Sequence, residues 1–228
     1  GHMYNIPTFL PKGVNAGMVW AIREDWCKNV GLGIPETTDE LYEVLKAFKT
    51  QDPNKNGQND ELPLVCRNAN YYLLFLANSF GAYTGLYWDE KAQQVKHGLA
   101  TPQAKEAFTY IHKLYAEGLI DPEYITNTDD QFKAKIVDNR AGMFLGYINS
   151  HIEASHYALK EQNEEYNLVA MLPVKGPNGD RYKQSASTRV QYRASITSSC
   201  KEPEAAIKML DYAFSPEGHE LFNWGIEG

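Results

Sequence analysis

Oxygen-bearing side chains fall at every second position of the segment Asp52–Glu61, which reads DPNKNGQNDE. A chain that wraps a hard cation such as Ca²⁺ turns every second residue inward, and a glycine in the sixth position, here Gly57, allows the sharp turn. The spacing therefore predicts a metal-binding loop. Its candidate ligands are the side chains of Asp52, Asn54, Asn56, Asp60 and Glu61 and the backbone carbonyl of Gln58.

This loop departs from an EF-hand at its twelfth position, where Pro63 stands in place of the bidentate Glu. Asp60 and Glu61 would have to complete the coordination sphere instead. No second loop of this kind occurs in the sequence, which argues against a paired calcium sensor and favours a structural Ca²⁺. The alternative is a turn rich in Asn and Gly that binds no metal, because such turns are common.

The elements around the loop alternate between helices and short buried strands, which predicts an α/β fold with a mixed sheet. Strands are predicted at 17–23, 62–66, 142–146, 166–172 and 189–197, with a hairpin at 87–95. Helices are predicted at 25–30, from residue 37 to the metal loop, and at 71–80, 101–117, 132–137, 150–162, 202–214 and 216–224.

Two helix starts carry specific signals. Thr37 and Glu40 have the spacing of a capping box, and Thr101 with Pro102 forms an N-cap followed by proline in the first turn. The spacing of apolar residues predicts the buried face of helix 101–117 as Ala104, Ala107, Phe108, Ile111, Leu114 and Tyr115.

The composition is that of a globular protein. The 228 residues include 43% hydrophobic and 22% charged residues and carry a net charge of −7. This negative charge argues against binding to nucleic acids or anionic membranes, because both need a basic surface. The three cysteines are far apart and indicate no disulfide framework. No apolar run reaches the roughly 18 residues that a membrane span needs.

Short motifs follow one another in a fixed order: Ile22–Trp26, Gly31–Pro35, Thr38–Leu41, the metal loop, Leu62–Leu64, Gly118–Pro122, Ala141–Phe144, Pro203–Ala206 and Ser215–Gly218. Together they resemble the extracellular solute-binding proteins of carbohydrate ABC transporters, in particular the lipoprotein type that serves oligosaccharide uptake in Gram-positive bacteria. The resemblance covers nearly the whole chain after residues 1–3, which look like the remnant of an expression tag.

The resemblance implies the fold of a type II periplasmic binding protein, in which two lobes close around a ligand. Long stretches of the family are missing from this chain, so residues 4–174 are expected to form one lobe and residues 175–228 to lead towards the other. Alginate-binding members carry a structural calcium in a comparable loop, which implies Ca²⁺ for Asp52–Glu61. The complete protein is expected to be a monomeric extracellular lipoprotein, anchored outside this chain, that passes its solute to an ABC permease.

Sugars are bound by aromatic rings that stack on pyranose faces and by planar polar groups that hydrogen-bond the hydroxyls. Such residues are expected where strands end and helices begin. The candidates for ligand binding are Asn15, Asn68, Asn70, Tyr71, Tyr147, Asn149 and His151. Structural alternatives are core packing for Tyr71, turn and capping bonds for Asn68 and Asn70, and a surface position for His151.

The predicted function is therefore the capture of an extracellular solute, most simply an oligosaccharide, without catalysis. The sequence contains no GxSxG, HExxH, GxGxxG or P-loop motif. One alternative is a carbohydrate-active hydrolase, because two carboxylates can meet in space without any sequence signature. The other is an interaction module that calcium stabilises.

Overall fold

The computed structural model describes residues 6–8, 18–67, 73–161, 163–181 and 192–226, with the backbone alone at residues 6–8, 149, 192 and 193. The chain divides into two compact units. The larger unit is Ala16–Ser185, and the smaller unit combines Gly1–Asn15 with Ala186–Gly228. The expected division into residues 4–174 and 175–228 concerns the lobes of the complete protein and stays a prediction.

Strands and helices alternate through most of the described chain. The strands are β1 (Ile6–Thr8), β2 (Met18–Arg23), β3 (Leu62–Val65), β4 (Leu86–Asp89), β5 (Gln94–His97), β6 (Ala141–Tyr147), β7 (Leu168–Met171) and β8 (Tyr192–Ala194). The α-helices are α1 (Glu24–Asn29), α2 (Thr38–Thr50), α3 (Pro102–Ala116), α4 (Asp129–Val137), α5 (Ala154–Lys160), α6 (Pro203–Tyr212) and α7 (Pro216–Trp224). Two 3₁₀ segments cover Leu74–Phe80 and Gly98–Ala100, and a π-helical turn covers Ile148–Glu153.

A four-stranded mixed sheet in the order β3-β6-β2-β7 forms the centre of the larger unit. Strands β3 and β6 are parallel neighbours, whereas β2 runs antiparallel to both β6 and β7. The carboxyl ends of β3 and β6 therefore reach the same edge of the sheet, where β2 begins. This arrangement confirms the predicted α/β class with a mixed sheet.

Hydrophobic cores lie on both faces of this sheet because neighbouring residues of a strand point in opposite directions. Trp20 and Ile22 of β2 belong to a core that also contains Leu41, Leu45 and Phe48 of α2. The residue between them, Ala21, belongs to a second core on the other face, together with Phe132 of α4 and Leu159 of α5. The sheet is thus a layer between two sets of helices.

The predicted helix starts are largely confirmed. Thr37 caps α2 by accepting a hydrogen bond from the N–H of Glu40 at 3.2 Å. The Glu40 carboxylate accepts from the N–H of Glu36 at 2.7 Å, one residue earlier than a capping box requires. Thr101 likewise caps α3 through the N–H of Ala104, as predicted.

Three local predictions need correction. The apolar segment predicted as a helix at 71–80 is a 3₁₀ helix in its described part, and Gly81 ends it with a φ of 75°. The helix predicted at 150–162 begins earlier, as the π-helical turn Ile148–Glu153, and becomes α-helical only at Ala154. Phe108 and Tyr115 are 42% and 45% exposed, because the buried stripe of α3 is narrower than predicted.

The smaller unit pairs β1 with β8 in antiparallel register, with Ile6 opposite Ala194. Helix α6 contains no buried residue, and Gly218 is the only buried residue of α7. Apolar side chains such as Phe222 and Trp224 are exposed in the described part of this unit. Across the described ranges, no helix combines the length and the hydrophobicity that a membrane crossing requires.

Candidate ligand and metal sites

Charged and aromatic side chains meet at the edge of the sheet where β3 and β6 end. Arg67 follows β3, and Tyr147 is the last residue of β6. The Arg67 guanidinium carbon lies 5.9 Å from the centroid of the Tyr147 ring and 5.2 Å from that of Phe132. Helix α4 starts at the same edge, and its first residue, Asp129, forms an ion pair with Arg67.

His151 is buried behind this group and is 3% exposed. Its Nδ1 atom accepts a hydrogen bond from the backbone N–H of Tyr147 at 3.1 Å, and its Nε2 atom lies 3.4 Å from Oδ1 of Asp129. Because a backbone N–H can only donate, Nδ1 is unprotonated and the ring proton lies on Nε2, facing the carboxylate. The ring also packs edge-on against Phe132, with 5.4 Å between centroids.

The charges around His151 keep its ring neutral. Burial, followed by the positive charges of Arg67 and Lys133, lowers its pKa to about 4. Lys133 also pairs with Asp129 at 2.6 Å, so two cations share one carboxylate. With His151 neutral, these groups carry one positive charge in excess.

Tyr147 is the exposed aromatic residue of this group, with 39% of its surface accessible. The His151 ring lies 5.9 Å from the Tyr147 ring at an interplanar angle of 30°, which supports it from the protein side. An exposed aromatic ring beside guanidinium and carboxylate groups can stack on a sugar ring and hydrogen-bond its hydroxyls. We therefore define the ligand cluster as Arg67, Asp129, Lys133, Tyr147 and His151.

The predicted ligand residues have different outcomes. Tyr147 and His151 are brought together, while the described structure of Asn149 is limited to its backbone. Asn15, Asn68, Asn70 and Tyr71 lie outside the described residues. For all seven, contact with a ligand stays a prediction.

Arg67 and Asp129 are absent from the predicted set. Arg67 directly follows the predicted strand 62–66, so the rule that sites form at strand ends would have included it. Asp129 carries no such signal, because it follows no strand and meets Arg67 and His151, which are distant in sequence, only in the folded chain. The capping box that Thr128 forms with Gln131 fixes where α4 begins.

Side chains of the predicted metal loop accept hydrogen bonds from the backbone of the same loop. The Asp52 carboxylate accepts from the N–H groups of Asn56 and Gly57 at 3.1 and 3.0 Å. The side-chain oxygen of Asn56 accepts from the N–H of Gln58 at 2.7 Å. Gly57 has a φ of 76°, a left-handed conformation that glycine adopts without strain.

Glu61 is the least satisfied group of this loop. It is 1% exposed, and among the described residues neither of its carboxylate oxygens has a hydrogen-bond partner. Burial, with the negative charges of Asp52 and Asp60, raises its pKa. A buried carboxylate facing two other carboxylates calls for a positive charge, and oxygen groups of this kind suit calcium.

A cation here would need more than carboxylates. No three His, Cys, Asp or Glu side chains converge as a metal-binding group anywhere in the described part of the chain. Amide and carbonyl oxygens, which the loop offers at Asn54, Asn56 and Gln58, are the remaining ligands that calcium accepts. The residues present therefore fit a mixed oxygen site.

The metal loop and the ligand cluster lie at opposite ends of the same two strands. The loop leads directly into β3, and Arg140, which precedes β6, donates to the backbone carbonyl of Asp60 at 3.1 Å. Tyr147 lies at the other end of the seven-residue strand β6, about 20 Å away at the usual rise per residue. A cation in the loop would thus fix the fold without touching a ligand in the cluster.

Comparisons with known proteins agree with this architecture. A family model described as bacterial extracellular solute-binding protein matches residues 1–220. The chain is 31% identical over 245 residues to the fructooligosaccharide ABC transporter substrate-binding protein FusA of Streptococcus pneumoniae serotype 4, and the match covers 100% of the chain and 43% of FusA. It is also 31% identical over 225 residues to the lipoprotein LipO of Bacillus subtilis (strain 168), with coverages of 91% and 42%.

Solved structures of solute-binding proteins also resemble this chain. The alginate-binding protein AlgQ2 without calcium ion superposes with a TM-score of 0.84 at 30% identity, over 99% of this chain and 46% of AlgQ2. The EF-hand mutant of S. pneumoniae FusA in complex with fructo-nystose superposes with a TM-score of 0.78 at 26% identity, over 100% and 47%. The chain spans less than half the length of these relatives. The predicted resemblance and fold class are confirmed, and the chain belongs to the family of bacterial extracellular solute-binding proteins.

Proposed function

We propose that the complete protein captures an oligosaccharide outside the cell and delivers it to an ABC importer. The observation that supports this most is the half-exposed ring of Tyr147, held by His151 at the joint end of β3 and β6. FusA, which is related over the whole of this chain, is named as a fructooligosaccharide-binding component of such a transporter.

In this proposal each member of the ligand cluster has a separate role. Tyr147 stacks on a sugar ring, and the Arg67–Asp129 pair hydrogen-bonds hydroxyls at its rim. His151 is buried, so it positions Tyr147 and Asp129 and makes little direct contact. Asn149, with Asn15, Asn68, Asn70 and Tyr71, which lie outside the described residues, completes the proposed contact set on the sequence argument alone.

We further propose that Asp52–Glu61 binds a structural calcium ion. The ligands would be Asp52, Asn54, Asn56, the Gln58 carbonyl, Asp60 and Glu61, and the buried unpaired carboxylate of Glu61 is the main support. AlgQ2 has been solved without calcium ion, and FusA as an EF-hand mutant, so both relatives point to a cation loop. The ion would neutralise the loop and hold the starts of β3 and β6 together.

The cellular location and the partner that we propose for the protein are those expected from its family. Its members are described as extracellular, and the relative LipO is named a lipoprotein. We expect the complete protein to be a monomeric lipoprotein, anchored to the membrane outside this chain, that closes two lobes around its solute and then engages a permease.

A thermal-shift screen of the complete protein tests the function. The panel should hold neutral and acidic oligosaccharides, with amino acids and short peptides as controls, and chromatography should check that each sugar is recovered intact. We expect a rise in melting temperature with at least one oligosaccharide, because a ligand that binds only the folded state stabilises it. Stabilisation by peptides alone, or cleavage of the sugar, would overturn the proposal.

A further inference from the structure

The ligand cluster carries more positive than negative charge. Arg67 and Lys133 are its two cations, and among the described residues Asp129 is the acid that pairs with them. Two cations against one carboxylate leave a net charge of +1. His151 does not change this balance, because its Nδ1 atom accepts from a backbone N–H and a further proton would only add positive charge.

The sequence outside the described ranges is almost free of acids. The segments 9–17, 68–72 and 182–191 contain no Asp or Glu, and they add Lys12, Lys183 and Arg189 to the cations of the chain. Glu227, the second-last residue, is the only acid outside the described ranges. Apart from Glu227, these parts of the chain can therefore only add positive charge.

Lys133 is the cation of the cluster that a ligand can reach. Its ammonium group has three donors, and Asp129 engages the group at 2.6 Å from one turn earlier on α4. The Lys133 side chain is 43% exposed, whereas that of Arg67 is 6% exposed. The same Asp129 carboxylate lies 3.4 Å from Nε2 of His151, which supports the Tyr147 ring. An accessible positive charge thus lies close to the proposed stacking surface.

A ligand that lies on Tyr147 and balances this charge must combine two features. It needs a pyranose ring for the aromatic face and a negative charge at the rim of that ring. A carboxylate carries one negative charge, which matches the excess of +1, whereas a phosphate monoester carries about 1.5–2. A uronate, which is a sugar with a carboxylate in place of its CH₂OH group, has both features.

We propose that the ligand cluster selects oligosaccharides that contain a uronate residue, and that Lys133 determines this selectivity. The uronate ring stacks on Tyr147, and its carboxylate accepts from the Lys133 ammonium group. Arg67 stays paired with Asp129 and contributes through its positive charge. This inference rests on the proposed function and adds the substrate class.

The test compares sugars that differ only in the charge of the carboxyl position. Digalacturonate is paired with its methyl ester, which is neutral, and cellobiouronate is paired with cellobiose. Affinities are measured on the complete protein by titration calorimetry at neutral pH. We expect the anionic member of at least one pair to bind about tenfold more tightly, as one charge-assisted hydrogen bond at a partly exposed site suggests. Equal affinities within both pairs, or tighter binding of both neutral members, would overturn the proposal.

The salt dependence shows whether charge causes the preference. Between about 0.05 and 0.5 M NaCl the preference for the anionic member should shrink, because salt screens charges that are partly exposed. The affinity for the neutral member should change little over the same range. A preference that salt leaves unchanged would contradict recognition of the carboxylate by its charge.

Two variants locate the preference at Lys133. Lys133→Met removes the charge and keeps most of the side-chain length, and Lys133→Arg keeps the charge. The methionine variant should bind both members of a pair equally, with unchanged affinity for the neutral member, and the arginine variant should retain most of the preference. Lys105→Met, which removes an exposed cation from α3, is the matched control. A full preference in folded Lys133→Met protein would contradict the role of Lys133.

The outcomes separate this inference from the proposed function. If neutral oligosaccharides bind but neither pair shows a preference for its anionic member, the selectivity is wrong and the function stands. If no saccharide binds, whether neutral or anionic, both are overturned. The comparison within each pair uses the unaltered protein, so it does not depend on any variant folding correctly.

Discussion

The imidazole of His151 connects two elements of the larger unit, because one ring nitrogen accepts from the backbone of Tyr147 and the other faces Asp129. The first contact fixes the end of β6, and the second fixes the start of α4. Since the ring is almost completely buried, it sets the position of the exposed Tyr147 ring without competing for a ligand. A neutral His151 is required for this arrangement, and this requirement makes the fold sensitive to acid.

Lowering the pH should destabilise the protein through His151. Its pKa falls from a usual value of 6.5 to about 4 in the folded state, so between these values only the unfolded state takes up the proton. Stability should therefore decrease as the pH falls from 6.5 to 4, by about 1.4 kcal/mol per pH unit and about 3 kcal/mol in total. Denaturant unfolding at several pH values measures this slope.

The matched variants are His151→Asn and His151→Gln. Asparagine can keep the acceptor for the Tyr147 N–H, and glutamine can keep a donor to Asp129, but neither side chain titrates. Both variants should have a flatter pH profile than the unaltered protein over this range. An unchanged slope in either variant would mean that another group causes the acid sensitivity.

Replacing Glu61 should have opposite effects with and without calcium. In the absence of the ion, Glu61→Gln removes a buried, unpaired charge whose pKa is raised, and stability should increase by about 1–3 kcal/mol at neutral pH. With calcium present the same change removes a ligand, so stabilisation by the ion should shrink. Melting curves in calcium and in EDTA measure both effects, and Glu43→Gln on the exposed side of α2 serves as the control. A loss of stability that is equal in both buffers would refute the metal assignment.

Removing the Tyr147 ring should weaken oligosaccharide binding far more than it affects folding. We expect Tyr147→Ala to reduce affinity about tenfold to a hundredfold, while Tyr147→Phe keeps most of it, because the ring face makes the contact. The control is Tyr157→Ala, which removes a ring that is 65% exposed on α5. Equal affinities of the Tyr147→Ala and Tyr157→Ala proteins would exclude Tyr147 from the site.

Lys135 should contribute strongly to stability, in contrast to its neighbour Lys133. The Lys135 ammonium donates to Asp121 at 2.7 Å and to Asn127 at 2.7 Å, and Asp121 is 1% exposed. Lys135→Met should therefore cost about 3–5 kcal/mol in the free energy of unfolding, since it leaves a buried charge without its partner.

Lys133 lies two residues earlier on α4, and its side chain is 43% exposed. Its ion pair with Asp129 is partly screened by water, so Lys133→Met should change stability by less than about 1 kcal/mol. Similar losses for the two lysine variants in denaturant titrations would show that burial does not decide the strength of these pairs.

Local signals predicted the elements of this chain well. The caps at Thr37 and Thr101 and the turn at Gly81 act within a few residues, so their effects can be read from the sequence. The width of the buried stripe on α3 was less predictable. Whether Phe108 and Tyr115 are covered depends on elements that are distant in the chain.

The ligand cluster could not be predicted from local sequence signals. The pairing of β3 with β6 brings Arg67 to Tyr147, and no periodicity within either segment encodes that pairing. The burial of His151 likewise follows from the packing of α4 against β6, which reverses the surface position considered for it. The metal loop was easier to find, because its candidate ligands lie within ten consecutive residues.

Calorimetric titration of the complete protein with a neutral oligosaccharide is the most direct test of the proposed oligosaccharide binding. We predict saturable binding at one site with a dissociation constant of about 1 μM or tighter, corresponding to about −8 kcal/mol, and recovery of the sugar unchanged. Absence of binding across neutral and acidic oligosaccharides, or hydrolysis of the sugar during the titration, would contradict the claim that this chain forms part of an oligosaccharide-binding protein.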